Sequence, residues 1–364
     1  MVWNWQQKNW PVFEYITASI TEGEKEFLHK TGIIFGASKH LSNPDQQNLL
    51  ITLVSDEALN TSEIEGEYLN RDSLQSSIRR HFGISTDNRK ITPAEFGISE
   101  MMINLYDTYN KPLTHETLLQ WHRMLTNGRR DLRNIGEYRT CKEPMQVVSG
   151  KYHDPIVHFE APPSSVIKKE MERYIYWFNN NTANTHQPLT KAAIAHIYFE
   201  SIHPFEDGNG RIGRALILKS LSQSLNQQII LALSSIINKK KKYYYNALEQ
   251  NNKGMEITKW LTYFSNTILE AQEYSLNIIE FLIKKTKFYD RYKNLLNSRQ
   301  EKVINRIFAE GLDGFKGGMS ADKYISITKT SKATATRDLV YLSNLGAFNK
   351  TGVLKGSRYF LKLD

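Results

Sequence analysis

The segment His203-Pro204-Phe205-Glu206-Asp207-Gly208-Asn209-Gly210-Arg211-Ile212-Gly213-Arg214 constrains this chain more than any other stretch. The amphipathic helical pattern of Leu189 to Ser201 has to stop before Pro204, and a second helical pattern runs from Arg211 to Leu225. Two glycines flanking an asparagine just before a helix let successive backbone N–H groups converge. With the helix N-terminus behind them, Gly208, Asn209 and Gly210 read as an anion-binding nest. Arg211 and Arg214 are three apart, hence on one helix face, where two guanidinium forks suit a polyphosphate. Asp207 is a hard carboxylate beside that anion, suited to Mg²⁺. His203 ends the preceding helix and has the chemistry of a general base acting on a hydroxyl. The plain alternative is an interhelical loop with a capping Asp207 and a structural His203. A loop needs a glycine, but it does not need all these groups together.

The rest of the chain reads as helices with one interruption. Residues 1 to about 40 form an aromatic-rich opening with one or two helices. Asn43-Pro44-Asp45 has the form of a helix start, followed at helical spacing by Leu49, Leu50, Leu53, Val54 and Ala58. Ser73 to Phe82 predicts another helix, and the polar run 83–93 a boundary. Further helices are expected from Thr114 through Leu125, from Ile167 to Phe178, and on either side of the motif. Met145 to Phe159 interrupts them with two β-type runs, a hairpin by its Ser149-Gly150 and Asp154-Pro155 punctuation, stopped by Ala161-Pro162-Pro163. From Arg299 the rhythm changes to three helices and two short strands, the layout of a winged helix-turn-helix.

Charge and cysteine content narrow the setting. The chain carries a net charge of +9, and the last 66 residues hold twelve Lys/Arg against six Asp/Glu. That asymmetry suggests an anionic partner for the tail, with a solvated surface as the bland alternative. Cys141 is the single cysteine, so it forms no internal disulfide and supplies no zinc cluster, which points to a reducing, cytoplasmic setting. No signal-peptide pattern is read near Met1. The most apolar stretch, 229–237, is far shorter than the roughly 20 residues of a membrane helix, so no membrane partner is expected.

Residues 203–214 resemble, at every specified position, the signature His-Pro-Phe-x-(Asp/Glu)-Gly-Asn-Gly-Arg-x-x-Arg of the Fic (Fido) family. The resemblance implies a mainly α fold: a Fic-type helical core with a β-hairpin flap, an N-terminal helical domain and a C-terminal winged helix-turn-helix. The divisions expected are 1–93, 94–287 and 295–364. It implies transfer of AMP from ATP to a Ser, Thr or Tyr hydroxyl of a target protein. His203 would then deprotonate the hydroxyl, and Asp207 would hold Mg²⁺ between the α- and β-phosphates. Phe205, Glu206, Asp207, Gly208, Asn209, Gly210, Arg211 and Arg214 would form the nucleotide site, with the two arginines at the β/γ end. Gly136-Glu137-Tyr138-Arg139 and the hairpin look like the family's flap, where Met145, Gln146, Val147 and Val148 would dock the target as an added strand. Tyr244 and Tyr245 resemble the family's Tyr-Tyr-x-x-Leu segment near the adenine, although tyrosines at helical spacing also serve as core.

Thr61-Ser62-Glu63-Ile64-Glu65-Gly66 matches the family's inhibitory pattern (Ser/Thr)-x-x-x-Glu-(Gly/Asn). Thr61 and Glu65 are four apart and share a helical face, and Gly66 can end the helix after the glutamate. The implied regulation is autoinhibition, with Glu65 paired to Arg214 in place of the γ-phosphate. Two alternatives stay open: a DNA-binding regulator that senses nucleotide without turnover, and a hydrolase that removes AMP with Glu65 and His203. Lys332, Thr334 and Arg337 are the candidate DNA contacts of the tail. ATP against another nucleotide stays open, as does monomer against homodimer.

Overall fold

The computed structural model describes residues 2–39, 41–84, 89–151, 154–180, 186–229 and 231–363. The turn residues 152 and 153 of the expected hairpin, residues 85–88 of the expected boundary, and Ile230 lie outside them. The fold is mainly helical. The chain divides into two compact units, residues 1–35 with 50–275 and residues 36–49 with 276–364. No helix among the described residues is long and apolar enough to cross a membrane.

The first unit draws on α1 (Ala18–Lys39) and α2 (Asn43–Ile64), then α3 (Arg71–His81), α4 (Pro93–Thr108) and α5 (His115–Leu125). A hairpin of β1 (Gln146–Lys151) and β2 (Asp154–Glu160) follows. After it come α6 (Ser164–Asn180), α7 (Pro188–Ile202), α8 (Asn209–Ser224), α9 (Leu233–Lys239), α10 (Lys241–Gln250) and the start of α11 (Thr258–Tyr292). Side-chain caps set several starts. Asn70 accepts from the backbone of Asp72 and Ser73, Thr92 and Glu95 form a capping box ahead of Pro93, and Thr114 caps α5. One continuous core joins Phe27, Ile51, Val54, Leu74 and Ile78 to Trp121, Phe199 and Leu216, so regions 1–93 and 94–287 share apolar packing within this unit.

Two features of α7 and α8 position the site. Every residue of α7 except Glu200 is buried. Buried apolar side chains contribute roughly 1.5–3 kcal/mol each, so α7 is poorly able to shift. Gly213 lets α8 approach it: a Cβ there would sit 2.4 Å from Glu200 Oε1 and 3.0 Å from His196 Cε1.

The second unit contains α12 (Ser298–Phe308), α13 (Ala321–Thr328) and α14 (Lys332–Asn344), then β3 (Phe348–Thr351) paired antiparallel with β4 (Arg358–Leu361). Ser320 and Ser331 cap α13 and α14. Val303, Ile304, Tyr324, Leu339 and Phe348 are in its core.

Candidate active site

α7 ends where His203 turns left-handed, at φ 49° and ψ 61°, ahead of Pro204. A non-glycine residue held there costs of order 1–3 kcal/mol, which its surroundings have to offset. The His203 N–H donates to Phe199 O at 3.0 Å, and the buried Arg139 donates through Nε to the His203 carbonyl at 2.8 Å. Arg139 also donates to Pro162 O at 2.5 Å and Ser164 Oγ at 3.1 Å, so one guanidinium ties this loop to the end of the hairpin. Burial and the positive charge of Arg139 pull the His203 imidazole down to about 4, leaving a neutral ring that can accept a proton near pH 7. Glu200 Oε2 lies 3.7 Å from His203 Nδ1, and burial together with neighbouring Glu65 pushes the Glu200 carboxyl up to about 8.

The loop after His203 is closed by its own side chains. α8 starts at Asn209, two residues before the expected Arg211, behind a left-handed Gly208 with φ 83°. Asn209 Oδ1 accepts from Phe205 N–H at 2.9 Å and Nδ2 donates to Phe205 O at 2.8 Å. The asparagine side chain therefore shapes the loop, and the α8 N-terminal backbone is what remains for an anion. Phe205 was expected at the nucleotide, and its side chain is fully buried instead. It stacks on His122 at 4.2 Å and tilts against Tyr138 at 5.4 Å, so it anchors the loop. Glu206 accepts from the backbone N–H of Arg133 at 2.8 Å and of Asn134 at 3.3 Å.

Asp207 sits among cations. Arg129 Nη1 donates to Oδ2 at 2.6 Å, while the Gly208 N–H donates to Oδ1 at 2.6 Å and Arg211 Nη2 at 3.4 Å. Burial alone would raise this carboxyl, but Arg211, Arg129 and the Gly208 N–H outweigh it and hold it below its ordinary value. A single ionised oxygen donor fits Mg²⁺ carried with a polyphosphate, which completes its shell from phosphate and water. The described residues contain no group of three or more His, Cys, Asp or Glu that could hold a metal.

The end of α2 reaches both motif arginines. Gly66 is left-handed at φ 83°; its N–H donates to Glu63 O, and the Glu67 N–H donates to Ser62 O, which is a Schellman end. Arg214 is buried and donates through Nε to Thr61 Oγ1 at 2.7 Å, and through Nη2 to Thr61 O at 2.9 Å and Glu65 Oε1 at 2.7 Å. Burial would lower its pKa, but the charge of Glu65 holds Arg214 above its ordinary value. Across Gly66, Glu67 Oε2 accepts from the buried Arg211 at 2.8 Å. A Cβ at Gly210 would lie 2.2 Å from Glu65 Oε1, so a side chain there would have to push that carboxylate aside.

A cavity of about 540 Å³ is lined by His203, Gly210, Glu65 and Glu200, by Val147, Val148, Ser149 and His158 of the hairpin, and by Tyr244 and Tyr245. Of the four expected docking residues, Val147 and Val148 line it. Met145 packs with Trp3 and Phe159, and Gln146 Nε2 donates to Glu160 Oε2 at 2.8 Å. Tyr244 is almost wholly buried, its hydroxyl 2.7 Å from His196 Nε2, whereas Tyr245 is partly exposed.

The sequence reading missed Glu67, Arg129 and the role of Arg139. Glu67 had a usable signal, a second carboxylate just past a helix-ending glycine. Arg129 and Arg139 had none toward the site, since Asp207 and the carbonyls of His203 and Pro162 lie far from them in the chain.

Residues 112–221 match the Fic/DOC family, and residues 3–84 match a domain of unknown function, DUF4172. A probable protein adenylyltransferase of Aquifex aeolicus is 26% identical over 155 residues, 39% of this chain and 46% of that protein. The protein adenylyltransferase fic-1 of Caenorhabditis elegans is 28% identical over 120 residues, 33% of this chain and 21% of that one. The chain thus spans less than half the length of these relatives. A Fic family protein from Desulfovibrio desulfuricans superposes with a TM-score of 0.55 at 20% identity, over 97% of this chain and 98% of its own. A Fic domain containing signaling protein from Bacteroides thetaiotaomicron gives 0.54 at 20% identity, over 73% and 97%. At that identity the likeness is one of fold. The Fic/DOC match is confined to residues 112–221, the stretch that holds the motif His203 to Arg214.

Proposed function

We propose that this chain is a protein adenylyltransferase, transferring AMP from ATP to a Ser, Thr or Tyr hydroxyl of another protein. The observation that carries the reading is the pair of buried guanidiniums behind the α8 N-terminus. Arg211 Nε and Arg214 Nη1 have no hydrogen-bond partner among the described residues, and a neutral His203 shares the adjoining cavity with Gly210. Buried cationic donors without partners suit the oxygens of a polyphosphate. The adenylyltransferase names of the relatives support the same reading.

In this reading the α8 N-terminus, Arg211 and Arg214 hold the phosphates, and His203 takes the proton of the incoming hydroxyl. Mg²⁺ bound with the nucleotide at Asp207 would neutralise phosphate charge. Tyr244 and Tyr245 lie on the nucleoside side, with Val147 and Val148 on the docking strand. Glu65, with Thr61 and Gly66 placing it, holds the enzyme in check through Arg214. The functional division is a regulatory segment 1–93, a Fic domain 94–287 and a winged-helix tail 295–364, in a cytoplasmic protein. The test is incubation with α-labelled ATP, Mg²⁺ and cell lysate. Labelled protein bands are expected; none, even with Glu65 replaced, would favour a nucleotide sensor.

For the tail we propose duplex DNA as the anionic partner, because Lys332 and Arg337 are exposed on α14. Binding should weaken steeply with salt, as phosphate contacts require. Indifference to DNA at low salt would leave a protein-contact role.

A further inference from the structure

The hairpin wall of the cavity carries a second hydroxyl–imidazole pair, separate from His203. Ser149 Oγ lies 2.6 Å from His158 Nε2, and His158 Nδ1 lies 2.9 Å from Glu249 Oε2. The three residues come from β1, β2 and α10, and all line the cavity that His203 and Gly210 line. Chemistry fixes the direction of the chain. An ionised carboxylate only accepts, so Nδ1 of a neutral ring carries the proton and Nε2 is left to accept from the serine hydroxyl.

The backbone is shaped around this arrangement. Val147 pairs with Phe159 and Val148 with Val157, which leaves His158 as the extra residue of a β-bulge. Bulges re-aim a side chain. Asn252 Nδ2 donates to the His158 carbonyl at 3.0 Å, and the next ring, Phe159, meets Trp3 edge-on at 5.4 Å. The bulge is therefore held on both flanks. A serine bound to a histidine for packing alone needs no carboxylate behind the ring, whereas an activated nucleophile does.

We infer that Ser149 is an adenylyl acceptor within this chain, with His158 as its base and Glu249 orienting the ring. The inference rests on the adenylyl-transfer reading for its co-reactant, ATP. The Ser149 Oγ–Pα bond forms as the bond from Pα to the bridging oxygen breaks, and pyrophosphate leaves with that electron pair. The hydroxyl proton passes to His158 Nε2, and Glu249 stabilises the imidazolium until the proton goes to solvent. The exposed Ser149 side chain leaves the hydroxyl open to attack.

The test uses the full-length Glu65→Gly protein with ATP and Mg²⁺, read by intact mass and peptide mapping. One added adenylyl group is expected on the Ser149 peptide, absent with Ser149→Ala. It should form about 10²-fold more slowly with His158→Gln, and more slowly with Glu249→Gln. A fluorophosphonate probe reads the same nucleophile without nucleotide. It should label Ser149 in the unaltered protein and lose that labelling with His158→Gln. Adenylylated lysate proteins beside an unmodified, probe-silent Ser149 would overturn the inference and leave the transfer reading standing. Probe labelling of Ser149 with adenylyl transfer to nothing at all would overturn the transfer reading and the acceptor role with it.

Discussion

Replacing His203 by alanine is expected to lower adenylyl transfer to protein targets at least about 10²-fold, the scale on which acid–base catalysis acts. ATP affinity should persist, because the phosphate contacts proposed run through the α8 backbone, Arg211 and Arg214. Labelled transfer and equilibrium nucleotide binding, measured on the same preparation, separate the two effects. The pH dependence gives an independent reading. Burial and Arg139 pull the imidazole to about 4, whereas an unperturbed histidine titrates near 6.5. The folded ring therefore stays neutral, and competent as a base, well below pH 6.5. In the Glu65→Gly protein, transfer should hold between pH 7 and 5.5. A loss centred near 6.5 would contradict the neutral-base role, and full transfer by His203→Ala would remove the mechanism.

Glu65→Gly should raise target or self-modification by roughly one to two orders of magnitude. The pair with Arg214 engages one of the two cations proposed for the terminal phosphates. A nucleotide entering beside it would sit with its α-phosphate out of line with the incoming hydroxyl. In-line geometry governs this class of transfer, and a misplacement of about 1 Å can cost about 10²-fold. Arg214→Ala should not reproduce the gain, since in the proposed roles Arg214 serves the carboxylate of Glu65 and the phosphate alike. Glu67 still engages Arg211 in the variant, so release of the site stays partial. Adding His203→Ala should silence transfer from the activated protein to its targets. Equal labelling by Glu65→Gly and the unaltered chain would mean that Glu65 belongs to an ordinary acidic helix face.

Much of the site was legible because it is local. His203 to Arg214 form one uninterrupted segment, and the chemistry of a loop between two helices is fixed by neighbours a few residues away. Helix starts at Thr92, Thr114, Ser320 and Ser331 have local causes as well. The burial of the Phe205 side chain has a tertiary cause: between His122 and Tyr138 an aromatic ring stacks instead of facing solvent. The contacts of Arg139 with the His203 carbonyl, Arg129 with Asp207 and Glu67 with Arg211 were hidden because each closes a separation that only the tertiary fold can bring together. His158 was invisible for a subtler reason. Strict alternation assigns residues to faces, and a bulge breaks that count at one position.

The chain's first residues carry a consequence for anyone who shortens it. Trp3 packs edge-on against Phe159, Trp5 Nε1 donates to Glu160 O at 2.7 Å, and Asn4 Nδ2 donates to Ser201 Oγ at 2.7 Å, two residues before His203. The region that matches DUF4172 thus contributes a strut at one end and Glu65 and Glu67 at the other. Cutting it away would unshackle the arginines and dismantle the scaffolding of the hairpin in the same stroke. A silent truncation would then be a collapsed workbench, not proof that the brake was needed for work. Only single-residue changes can tell brake from bench.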